Sequence, residues 1–121
     1  MTIEELYETL GGDFAKVCRR LPGRRFVERF LRRYLTDNTA EALLAALNAG
    51  DSGESFRLAL ALKGIAGNLG FEDLEAAVTR LAEVLRDGAI TSEALRLGQT
   101  VRHFHQVTVK AIKVYLAEKQ P

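Results

Sequence analysis

Residues 56–70 read Phe-Arg-Leu-Ala-Leu-Ala-Leu-Lys-Gly-Ile-Ala-Gly-Asn-Leu-Gly, and their periodicity decides the fold class. Successive residues on an α-helix are rotated by about 100°. With Phe56 set at zero, Leu58, Ala59, Leu62, Ile65, Ala66 and Leu69 fall within roughly 180–300°. That arc is a core-facing stripe. Leu60 falls at about 40°, nearly opposite, where its helical neighbours are Phe56, Lys63, Gly64 and Gly67. Each glycine costs about 1 kcal/mol against alanine inside a helix. An apolar residue turned to water and flanked by such glycines is not what folding alone selects, so this face is expected to meet another molecule.

Working outward, the whole chain reads as helix. Thr2 with Glu5 forms the pattern of a capping box and starts a short helix ending at Gly11-Gly12. Asp13 caps a second piece through Arg20, stopped by Leu21-Pro22-Gly23. The segment from Arg24 to Leu35 is strongly amphipathic, with Phe26, Val27, Phe30, Leu31, Tyr34 and Leu35 on one half. Arg25, Arg29, Arg32 and Arg33 gather on the other. Asn38 with Glu41 predicts a capped helix to Ala49-Gly50. Asp51 or Ser52 starts the 56–70 helix, which stops at Asn68–Gly70 with Gly70 in the left-handed conformation. Phe71 to Asp87 is another helix, with Leu74, Val78, Leu81 and Leu85 as its stripe and Gly88 after it. Thr91 or Ser92 caps the last and longest, to about Ala117. Its stripe is expected to be Leu97, Val101, Phe104, Thr108, Ile112 and Tyr115.

No segment reads as a strand. Short loops between four consecutive long helices force antiparallel neighbours. The expected fold is all-α: an antiparallel up-down four-helix bundle over about 38–118, with additional short N-terminal helices over about 2–35. Residues 1–121 are expected to form a single domain, without internal repeats.

Composition narrows the class. An apolar content of 47% with 27% charged residues over 121 residues is that of a soluble globular domain. No apolar run approaches the ~18 residues that span a bilayer. The acidic start Met1-Thr2-Ile3-Glu4-Glu5 is unlike a secretory signal. One cysteine, Cys18, makes neither an internal disulfide nor a metal site. A cytoplasmic address follows as the expectation. The net charge of +1 argues against a dedicated nucleic-acid binder. Charge is uneven, however: residues 1–35 hold eight basic against five acidic side chains, mostly through arginine. The arginine face of 24–35 reads as a solvated surface or as a means of steering an acidic partner. Anionic lipid would need the opposite face, which the core claims.

The 56–70 stretch also resembles the signature of histidine-containing phosphotransfer domains. In that family the phosphorylated histidine is followed three residues later by Lys, then Gly, with a Leu-Gly further on. Lys63-Gly64 and Leu69-Gly70 occupy the matching positions here, and Leu60 stands where the histidine would be. The leader Leu6-Tyr7-Glu8 into Gly11-Gly12-Asp13, followed by Phe26-Val27-Glu28-Arg29-Phe30-Leu31, is similar to small stand-alone members. The resemblance implies a phosphorelay role in two-component signal transduction. A response-regulator receiver domain or a histidine kinase would be the partner, bound by a face holding Phe56, Arg57, Leu60, Lys63, Gly64 and Gly67. It also implies that Lys63 steadies phosphoryl oxygens. Leucine has no lone pair to accept a phosphoryl group, so the resemblance gives the fold and the docking surface while Leu60 removes the chemistry.

The expected role is therefore a phosphorylation-incompetent adaptor or decoy. Other readings stay open: a competent phosphocarrier whose histidine was replaced or lies elsewhere, at His103 or His105, and a structural or oligomerising bundle. Leu60 itself can also be a solitary surface leucine, and Lys63 an ordinary solvated lysine. The two histidines point some 160° apart on their helix and cannot act as a pair. His103 is expected in solvent, and His105 beside the core stripe with a partner. No catalytic triad, paired carboxylates or phosphate-cradling loop stands out. The chain is expected to be no enzyme, to need no cofactor or metal, to bind neither nucleic acid nor membrane, and to be a monomer.

Overall fold

A computed structural model describes residues 1–119. Seven helices follow one another, with no strand among the described residues: α1 (Ile3–Thr9), α2 (Phe14–Cys18), α3 (Arg24–Thr36), α4 (Thr39–Asn48), α5 (Ser52–Leu69), α6 (Glu72–Leu85) and α7 (Ser92–Lys119). Helices α4 to α7 form the antiparallel bundle, α5 and α6 each packing on the preceding and following helix and α4 closing the ring against α7. The N-terminal helices lie against this bundle, α1 and α3 on α7 and α3 also on α5.

Local chemistry explains most boundaries. The Thr2–Glu5 capping box is complete, each side chain bonded to the other residue's backbone N–H. The Asp51 carboxylate accepts the Glu54 N–H at 3.0 Å and starts α5. Gly70 ends α5 at φ +76°, a conformation that a Cβ would strain. The Thr91 hydroxyl accepts the Ala94 N–H at 3.1 Å at the head of α7.

Elsewhere the structure corrects the sequence reading. Helix α2 ends at Cys18, two residues before the expected Arg20. The Asn38–Glu41 capping box does not form. Asp37 instead accepts the Thr39 N–H at 2.8 Å, and Glu41 turns toward His105. Phe26, Phe30 and Leu35 of α3 are only partly covered, leaving Val27, Leu31 and Tyr34 as its buried stripe. In α7 the buried position belongs to His105, while Phe104 is half-buried. Leu97, Val101, His105, Thr108 and Ile112, recurring every three or four positions, form one continuous buried stripe. Burying an imidazole there is tolerable because it is hydrogen-bonded. Its Nδ1 lies 2.7 Å from the Tyr34 hydroxyl, and its Nε2 lies 3.4 Å from Glu41.

The α3–α7 seam carries a second polar cluster. Glu28 accepts from the Tyr115 hydroxyl at 2.5 Å and pairs with Lys119 at 2.8 Å. Burial alone would raise the Glu28 carboxyl, but the bonds from Lys119 and Tyr115 outweigh it and hold the group below its ordinary value. Ser55, unnoticed in the sequence, is fully buried on α5, and its hydroxyl has no hydrogen-bond partner among the described residues.

Candidate partner-docking face

The orientation of α5 follows the expected arc closely. Leu58, Ala59, Leu62, Ala66 and Leu69 are buried, and Ile65, at the edge of the arc, is half-buried. Leu60 projects outward with 45% of its surface exposed. Burial of neighbours on both sides of the helix fixes this direction, since rotating Leu60 inward would expel Leu58 and Leu62.

Around Leu60 the structure brings together Arg57, Lys63 and Gly64, all exposed, with Phe56 half-buried at the N-terminal side. Arg57 forms an ion pair with Glu54 one turn earlier. Lys63 makes no ion pair among the described residues. The two glycines differ. A Cβ placed on Gly64 would meet nothing within 4 Å, so nothing inside the fold requires glycine there. A Cβ on Gly67 would lie 2.7 Å from the Glu75 carboxylate of α6. Gly67 is half-buried, and its carbonyl accepts from Arg20 at 2.9 Å. It therefore has an internal neighbour as well as a place on the face.

The C-terminal end of α5 is held by residues that the pattern of the helix does not reveal. The Tyr7 hydroxyl donates to the Leu69 carbonyl at 2.8 Å. Arg20 reaches the Gly67 and Asn68 carbonyls, satisfying acceptors that the helix end leaves free. The Gly11-Gly12 leader packs beneath the same corner: a Cβ on Gly12 would sit 2.4 Å from the Gly70 carbonyl oxygen. The leader therefore packs against the C-terminal end of α5 and satisfies its last carbonyls. Only the conjunction of Tyr7 with Gly11-Gly12 hinted at this in the sequence, and Arg20 carried no signal.

The histidines separate by environment. His103 is exposed beside Phe104, whereas His105 is buried with its Nδ1 occupied by Tyr34. No group of three or more His, Cys, Asp or Glu is placed to hold a metal among the described residues. No helix among them is long and apolar enough to cross a membrane.

These helices make an all-α antiparallel bundle with the end of α5 secured by an N-terminal leader. The Hpt domain model matches residues 27–110, from within α3 to within α7, and the chain belongs to the Hpt domain family. Comparison with curated proteins and with solved structures returns no match. Hpt domains are phosphocarrier modules rather than enzymes, working with receiver domains and histidine kinases in phosphorelays, and this membership places the chain in two-component signalling.

Proposed function

We propose that this protein is an Hpt relative that binds a receiver domain or kinase through the outer face of α5 without accepting phosphate there. Its role would be that of an adaptor or decoy in the cytoplasm, acting as a monomeric single domain over residues 1–121. The observation that carries the reading is the outward Leu60, 45% exposed, one turn from a Gly64 that no contact in the fold requires. In the family's transfer step a neutral imidazole nitrogen attacks an aspartyl phosphate. The bond to phosphorus forms on that nitrogen as the aspartate oxygen leaves. Leu60, aligned with that histidine by Lys63-Gly64 and Leu69-Gly70, offers only C–H bonds. What it offers instead is area: burying a leucine side chain contributes about 1.5–3 kcal/mol. Lys63 beside it suits an acidic pocket, and Gly64 permits close backbone approach.

The competing carrier reading has little support at His105, which is almost wholly buried, with Nδ1 on the Tyr34 hydroxyl and Nε2 turned toward the Glu41 carboxylate. His103 is accessible but lacks a Lys-Gly at the family spacing. The test is incubation with phosphorylated receiver domains from the source cell, followed by assay of acid-labile phosphate on this chain. The wild type should remain unlabelled and Leu60→His should acquire label. Label on His103 or His105 of the wild type would overturn the proposal.

A further inference from the structure

A second surface lies between α4 and α7, and none of its lining residues belongs to α5. Helix α7 has 28 residues and α4 only 10. At ~1.5 Å per residue, roughly 27 Å of α7 extends beyond the length α4 can cover. Along the seam between the two helices lies an open groove of about 490 Å³. Its apolar surface comes from Leu44 on α4 and from Val109 and Val114 on α7, and Val114 is 39% exposed. The trough continues toward the start of α7 through Leu44 and Arg102 into a shallow extension ending at Leu95, itself 46% exposed. Two of the chain's exposed large apolar side chains thus belong to one trough.

The rim has a definite sign. Arg102, Lys110 and Lys113 line it, against the single carboxylate of Glu41. Glu41 already faces the buried His105 at 3.4 Å. From Leu95 to Val114 the trough spans ~28 Å of α7, about five helical turns. Its lining residues recur every three or four positions, as a seat for another helix requires. A second copy of this chain is a poor occupant, because a symmetric pairing would set these cations against their own images. A basic helix fails for the same reason.

We propose that the α4–α7 groove binds an acidic amphipathic helix of a partner protein. Its apolar stripe would lie on Leu44, Val109 and Val114, and its carboxylates would meet Arg102, Lys110 and Lys113. Because the groove is remote in sequence from the α5 face and uses other helices, both surfaces can be tested separately.

The test uses the full chain with methyl-labelled Leu and Val. The probe is an 18-residue helical peptide with leucines every third or fourth position, flanked by glutamates. A control peptide has lysine for every glutamate, and vesicles of phosphatidylcholine with phosphatidylglycerol serve as a third arm. The glutamate peptide should bind saturably and shift the Val109, Val114 and Leu44 methyls, leaving Leu60 unmoved. Lys110 and Lys113 are both exposed and outside the core. The double change Lys110→Glu with Lys113→Glu should weaken binding at least tenfold while leaving the circular dichroism melt unchanged. Equal binding of both peptides, shifts centred on Leu60, no binding, or binding to vesicles alone would each overturn the proposal.

Discussion

Gly64→Ala separates the demands of folding from those of docking. The added methyl points away from the fold, and beyond its own helix backbone it meets no atom of the described residues within 4 Å. Gly64 lies well inside the 18-residue α5, so alanine should recover the usual helix preference, about 0.8–1 kcal/mol. Taking an unfolding entropy of ~2.1 cal/mol/K per residue, that gain raises the Tm by roughly 3–4 °C. The same methyl stands where a partner's backbone would come closest, one turn from Leu60, and should lower receiver affinity at least tenfold. Gly67→Ala provides the contrast. Its Cβ would lie 2.7 Å from Glu75, whose carboxylate must move aside, so its thermal gain should be smaller. Thermal denaturation followed by circular dichroism and calorimetric titration with a receiver give both quantities. A Gly64→Ala protein that melts no higher would mean that the fold does need the glycine. One that melts higher yet binds as tightly would remove the close approach.

Further outcomes test the supports of the bundle. Ser55→Ala removes a buried hydroxyl that has no hydrogen-bond partner among the described residues and should stabilise the chain by about 1 kcal/mol in denaturant titration. Tyr34→Phe leaves His105 Nδ1 without its 2.7 Å partner and should cost about 1–2 kcal/mol in the same measurement. Glu28→Gln should destabilise by about 1 kcal/mol at neutral pH. Because the folded Glu28 carboxyl is held below its ordinary value of 4.5, its contribution is present above that pH and is lost as pH falls through the lower folded value. The gap between wild type and Glu28→Gln should therefore close in acid, which urea titrations across about pH 3–7 would show.

The outer face of α5 was legible because one helix contains all of it: the same 100° step that buries Leu58 and Leu62 turns Leu60 outward. Its C-terminal support was not, since Tyr7 and Arg20 reach the Leu69 and Gly67 carbonyls across 62 and 47 residues of chain. Two local rules were overridden by neighbours. Asn38 satisfied the capping pattern, yet Asp37, one residue earlier, had the side chain in range of a free N–H. Phe104 satisfied the hydrophobic pattern, yet His105 took the buried position because Tyr34 and Glu41 on other helices satisfy its ring. The α4–α7 groove is lined by residues of two helices far apart in the chain, Glu41 and Leu44 on one and Arg102 to Val114 on the other, a relation that no single segment displays.

The measurement closest to the central claim is calorimetric titration of the wild type and Leu60→Asp with the receiver domains of the source cell. At least one receiver should bind the wild type, and the exposed aspartate should abolish that binding while leaving the melt intact. Equal affinity for the two proteins would contradict the claim that the face around Leu60 is where this Hpt protein docks.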